Sequence, residues 1–177
     1  MKKKYVKDYV ADETVEGGYR YTGVYYADGL DTEIRKKNGW IHLIVGVLQI
    51  VFVFVAASIN CVGNRTIYVV VPMECTLFCA LNLCLGAYTF LKTKNRMELH
   101  LYEGSYVKMT QAAAVAFFLN IGSVIGQIVV LLTGDHIYGL FNEIILLVAL
   151  ILMGVVNFAE WMWQRKMISL VNKEMSS

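Results

Sequence analysis

The chain has 177 residues, 57% of them hydrophobic and only 17% charged, and its 16 Lys or Arg against 14 Asp or Glu leave a formal net charge of +2. So little charge cannot cover a water-facing globule of this size; the near balance says nothing of partners, and with no acidic or basic tail to argue for it, nucleic acid is not expected as one. A chain of this composition is expected to have the lipid bilayer as its solvent.

Residues 1–38 are unlike the rest. They hold eight Lys or Arg and seven Asp or Glu, and they gather Tyr5, Tyr9, Tyr19, Tyr21, Tyr25 and Tyr26 into one short segment. Tyr19, Tyr21 and Tyr25 alternate with Arg20, Thr22 and Val24 as a strand does. A β-hairpin is therefore predicted, with Tyr9 to Val15 pairing with Tyr19 to Tyr25 across Glu16-Gly17-Gly18, where glycine adopts positive φ at little cost. An isolated hairpin is marginal in water, so this one needs a surface to lean on. It reads either as a docking element or, more plainly, as a loose tail with tyrosines at the headgroup layer. Asp28 to Lys37 reads as a short amphipathic approach to the first apolar stretch.

Four apolar stretches come next, at about 39–60, 67–91, 108–132 and 138–161. About 20 helical residues at 1.5 Å rise cross a hydrocarbon core of ~30 Å, and a backbone in lipid must satisfy its own hydrogen bonds. The expected fold is an all-α integral membrane protein, a four-transmembrane-helix antiparallel bundle over residues 39–166. A short tail, 167–177, follows it.

The basic residues assign a side. Arg35, Lys36 and Lys37 precede the first span, Lys92, Lys94 and Arg96 join the second to the third, and Arg165 and Lys166 follow the fourth. Short loops rich in Lys and Arg stay in the cytoplasm, so both termini are expected there. Trp40, Trp161 and Trp163 fall at the same face, at headgroup depth. No cleavable signal is visible, and the first span is expected to act as its own insertion signal. The short loops suit a bacterial inner membrane. Asn64-Arg65-Thr66 fits the glycosylation pattern on the outer side, but a loop this close to the membrane makes chance the plainer explanation.

Polar side chains inside the spans carry the most information, because each must face another helix or water. Gln49, Asn82 and Asn120 fall near mid-depth and read as interhelical hydrogen-bonding groups that set helix register, or as part of a solute path. Small residues mark candidate seams. Cys75, Cys79, Asn82 and Gly86 line one stripe of the second span, and Gly122 with Gly126 forms a GxxxG pattern on the third. Near the outer side, Glu74, Gln127, Asn142 and Glu143 lie at similar depth, with Ser58 and Asn60 at the same level. An isolated ionised acid in hydrocarbon costs several kcal/mol, so Glu74 and Glu143 are read as sharing a polar pocket for a cation, a proton or a basic group. Arg65 and His136 are nearby candidates for pairing, and Pro72 is a candidate kink.

Toward the inner side lie His42, Gln111, Asn157 and Glu160. Glu143, Leu150 and Asn157 repeat every seven residues, giving the fourth span one mildly polar stripe expected to face inward. His42, beside Trp40, reads as an interfacial side chain. No cofactor is expected: the three histidines lie at span ends or in a loop, unsuited to axial ligation of haem. No metal is expected either, although Cys75 and Cys79 at i, i+4 would suit copper(I). Neither GxSxG, HExxH nor a Walker A pattern occurs, so no catalytic residues are assigned. Two functional classes remain. The first is a small scaffold or accessory subunit that binds another membrane protein. The second is a homo-oligomeric transporter of a small solute, cation or proton built around Glu74 and Glu143.

Overall fold

The computed structural model describes residues 8–11, 19–134 and 137–174. Four long helices dominate it: α1 (Thr32–Ala57), α2 (Ile67–Lys92), α4 (Lys108–Thr133) and α5 (Leu140–Ser169). Each is long and apolar enough to cross a membrane. A single turn, α3 (Leu99–Tyr102), and a π-helical turn, Glu103–Val107, run without a break into α4. At the ends bearing the basic clusters the helices outrun the apolar stretches. Asp31 caps α1, its side chain accepting from Glu33 N at 3.3 Å, so the expected approach segment is the first turns of the same helix. Capping and propensity set a helix boundary, whereas hydropathy marks only the part that suits lipid.

Helix α2 is central, with α1 on one side and α4 on the other, while α5 packs on α4 and touches α1 more lightly. The α2–α4 seam explains two of the small residues. A Cβ added at Gly126 would lie 2.8 Å from the Tyr68 carbonyl oxygen, and one at Gly86 would lie 2.5 Å from Met109 Cγ. Pro72 contributes here. Having no N–H, it leaves the Tyr68 carbonyl without its helical donor, and that carbonyl is the group Gly126 packs against. The helix continues unbroken through Pro72 to Lys92. Ser123 Oγ donates to the next carbonyl, Val69 O, at 3.2 Å. Gly122, by contrast, is exposed, and Cys75 and Cys79 are half-buried.

Two apolar clusters fill the bundle. One, toward the loop joining α1 to α2, gathers Ala56, Val69, Met73, Val130, Leu146 and Leu150. The other, toward the opposite end, gathers Leu83, Phe90, Met97, Tyr106, Met109 and Met167.

Among the described residues, five short strands complete the fold. β1 (Tyr9–Ala11) pairs antiparallel with β2 (Tyr19–Tyr21), Tyr9 opposite Tyr21. The expected turn, Glu16-Gly17-Gly18, lies outside the described residues. The expected register would have set Tyr9 opposite Tyr25, but Tyr25 belongs to a second sheet. There β3 (Tyr25–Ala27) is the centre, flanked by β4 (Arg96–Glu98) and β5 (Asn172–Glu174), both antiparallel to it. The N-terminal segment, the α2–α3 connection and the segment after α5 are thus stitched together at one end of the bundle. Tyr26 of β3 stacks on Tyr102 with ring centroids 4.2 Å apart.

Candidate functional site

The buried polar groups fall into three layers along the bundle. At the end bearing the α1–α2 loop, Glu143 is fully buried in the first turn of α5, where the helix dipole favours an acid. Its Oε1 accepts from Val62 N at 2.5 Å, and its Oε2 from Gly63 N at 3.2 Å and Gln127 Nε2 at 2.8 Å. Gln127 Nε2 also donates to the Glu143 carbonyl at 3.1 Å. Gly63 permits this approach: a Cβ there would lie 1.9 Å from Gln127 Oε1. The carboxylate therefore clamps the α1–α2 loop onto α4 and α5.

The neighbours predicted for this site divide. Asn142 Nδ2 donates to Asn60 O at 3.0 Å and Tyr138 O at 3.1 Å, tying the start of α5 to the beginning of the α1–α2 loop. Arg65 bonds Asn60 Oδ1 at 3.3 Å and lies over the Tyr138 ring, and it takes no part in the clamp. Asn64 Nδ2 donates to Ala56 O and Ile59 O, both at 2.7 Å, so its amide is committed to backbone. His136 lies outside the described residues. Glu74 is not among the groups that bond to Glu143. It is exposed on the outward face of α2, so the shared Glu74–Glu143 pocket is replaced by a clamp around Glu143 alone. Sequence depth placed both acids at one level, but their helices turn them in different directions.

The middle layer contains Gln49, Asn120 and Asn157, with exposures of 6%, 0% and 1%. Gln49 and Asn120, read as interhelical bonding groups, are buried, and so is Asn157. Asn82 is exposed, and its Nδ2 returns to its own helix at Phe78 O, 2.9 Å away. Gln49 Nε2 and both polar side-chain atoms of Asn120 and Asn157 have no partner among the described residues. Asn120 and Gly154 also line an otherwise apolar groove of about 390 Å³ between α4 and α5.

The third layer is at the end bearing β3, β4 and β5. His42, expected at the interface, is fully buried instead. Its Nδ1 lies 2.6 Å from Glu160 Oε1, which also accepts from Gln164 Nε2 at 2.9 Å. Its Nε2 faces Met167 Sδ at 3.3 Å, and the Trp163 ring meets it edge-on at 5.0 Å. Gln111 is exposed and takes no part. The heptad that gives Glu143, Leu150 and Asn157 continues to Gln164, so this partner was legible in the spacing.

Beyond it lies a second buried group that composition did not reveal. Arg35 Nη1 pairs with Asp28 Oδ2 at 2.8 Å, and Tyr106 OH donates to the same oxygen at 2.7 Å. Arg35 also covers the Phe90 ring, which packs edge-on against His42. Further out, Tyr9 OH donates to Glu98 Oε2, and Tyr21 OH donates to Val24 O while accepting from Leu99 N. Burial, then the Glu98 carboxylate, pushes the Tyr9 phenol above its ordinary value, and burial does the same for Tyr21. Among the described residues no group of three or more His, Cys, Asp or Glu is placed to hold a metal ion.

Comparison of the chain with protein-family models, with curated proteins and with solved structures gives no match.

Proposed function

We propose that the protein is a multi-pass membrane protein, with both termini cytoplasmic, that works as a small accessory subunit by binding another membrane protein. The outward face of α2 carries this reading. From Trp40 onward in α1, from Val115 to Leu132 in α4 and from Leu140 to Trp163 in α5, every exposed residue is apolar. On α2 the exposed stripe is Val71, Glu74, Phe78, Asn82 and Leu85, at the 3-4-4-3 spacing of a helix-packing face. In a bilayer Glu74 and Asn82 would face hydrocarbon, where a polar group is expensive unless a protein covers it. A partner helix with a basic side chain opposite Glu74 and an amide or hydroxyl opposite Asn82 would satisfy both. The basic clusters support the orientation, since Arg35–Lys37, Lys92–Arg96 and Arg165–Lys166 share one end of the bundle.

The interior supports a solute path less well. Glu143 is occupied by its own loop, and Val69, Met73, Leu146 and Leu150 pack in the apolar cluster on the same side of the bundle. The test is the mass of the protein extracted gently into nanodiscs. A stoichiometric second membrane protein is expected, lost from Glu74→Leu/Asn82→Leu without loss of helicity. A homo-oligomer alone, indifferent to those substitutions and passing protons or cations in vesicles, would overturn this reading for the transport one.

A further inference from the structure

We infer that the inner ends of α1 and α2 form a binding site for a phosphate monoester, a function beyond the proposed docking of a partner helix. A cavity of about 390 Å³ opens there, and its lining includes Arg35, Lys36, Lys94, Arg96, Thr32 and Asn95. Four cations from two separate segments converge on it, and no Asp or Glu is in its lining. Asp28 balances Arg35, Lys36 and Lys94 still leave the space positively charged, and Arg and Lys together suit a phosphate by fork and point charge.

The site is built in advance of any ligand. Arg35 is only 4% exposed, yet its Nε has no hydrogen-bond partner among the described residues. Asp28 holds its guanidinium at Nη1, and Tyr106 holds Asp28. The connection carrying Lys94 and Arg96 is fixed as well: Asn95 Nδ2 donates to Leu30 O at 2.6 Å, and Asn95 O accepts from Asp28 N at 3.2 Å. Arg96 lies over the Tyr25 ring, its cation 4.2 Å from the centroid. Two exposed lysines, Lys36 and Lys94, complete the rim.

At this end of a membrane-spanning bundle a phosphate can arrive from two sources, as a lipid headgroup or free in the cytoplasm. The experiment separates them. The full chain is reconstituted in phosphatidylcholine nanodiscs, once with phosphatidic acid in the bilayer and once with inorganic phosphate in the buffer, and binding is read by native mass spectrometry and thermal shift. Lys36→Gln/Lys94→Gln is compared with Arg165→Gln/Lys166→Gln, which removes the same charge from the same end but away from the cavity. Both pairs are exposed, so the fold should survive in each.

Binding about tenfold weaker in the first variant and changed less than about twofold in the second is the expected result. Retention of phosphatidic acid with no effect of inorganic phosphate assigns the site to a headgroup, and the reverse assigns it to a soluble phosphate. Equal losses in the two variants would reduce the cavity to general surface potential and overturn the proposal. So would a parent protein that retains neither probe.

Discussion

Helix α5 buries one carboxylate toward each end of the bundle, and the two are satisfied by different means. Glu143 takes two backbone N–H groups and an amide, none of which changes charge near neutrality. Glu160 takes an amide of its own helix and the imidazole of His42 on α1. One helix thus carries a clamp on a loop at one end and a link to the side chain of another helix at the other. The role of a buried acid is set less by its depth than by what the adjoining elements bring to it.

The contrast breaks most sharply at the clamp. Glu143→Leu strands two backbone donors and the Gln127 amide, and should cost about 3–5 kcal/mol of stability. Glu143→Gln keeps one acceptor and should cost about half as much. Unfolding in nanodiscs measures both, and a Leu variant as stable as the parent would show that the clamp holds nothing together. At the other end, His42→Leu and Glu160→Leu should each cost about 2 kcal/mol, but the double variant less than their sum by about 1.5 kcal/mol. A strictly additive cycle would mean that the pair is a neighbourhood and not an interaction.

Two smaller changes sharpen the contrast. Gly63→Ala forces a methyl group into Gln127 and should cost about 1–3 kcal/mol, with faster amide exchange confined to the α1–α2 loop. Exchange spreading to α2 and α5 alike would show that the loop is not an independent clamp. Tyr9→Phe should cost less than about 1 kcal/mol. Because the folded Tyr9 phenol is held above its ordinary value near 10, its contribution is present below that pH and is lost as the pH rises through the folded value. Ultraviolet titration should show one fewer late-ionising tyrosine in the variant.

The four helices were legible because run length alone signals them. Direction within each helix was not. A helix apolar on nearly all sides has no moment to say which side faces inward, so depth alone could not tell Glu74 from Glu143 or Asn82 from Asn120. The fourth span was the exception, because its polar residues repeat at seven and one recurring face emerges. His42 was misread because Trp40 nearby suggested the headgroup layer, whereas less than one turn of helix separates an exposed residue from a buried one. The second sheet was invisible for another reason. Its strands have three residues each and pair across most of the chain, and neither alternation nor turn chemistry reaches that far.

That sheet also imposes an order on biogenesis. β3 is made before any of the long helices, β4 after two of them and β5 after all four. Until β5 arrives, one edge of β3 stays open to any passing strand. A chain interrupted within α5 would therefore have its helices nearly complete and that edge of β3 still unpaired, the kind of exposed edge that makes a folding intermediate prone to misassembly.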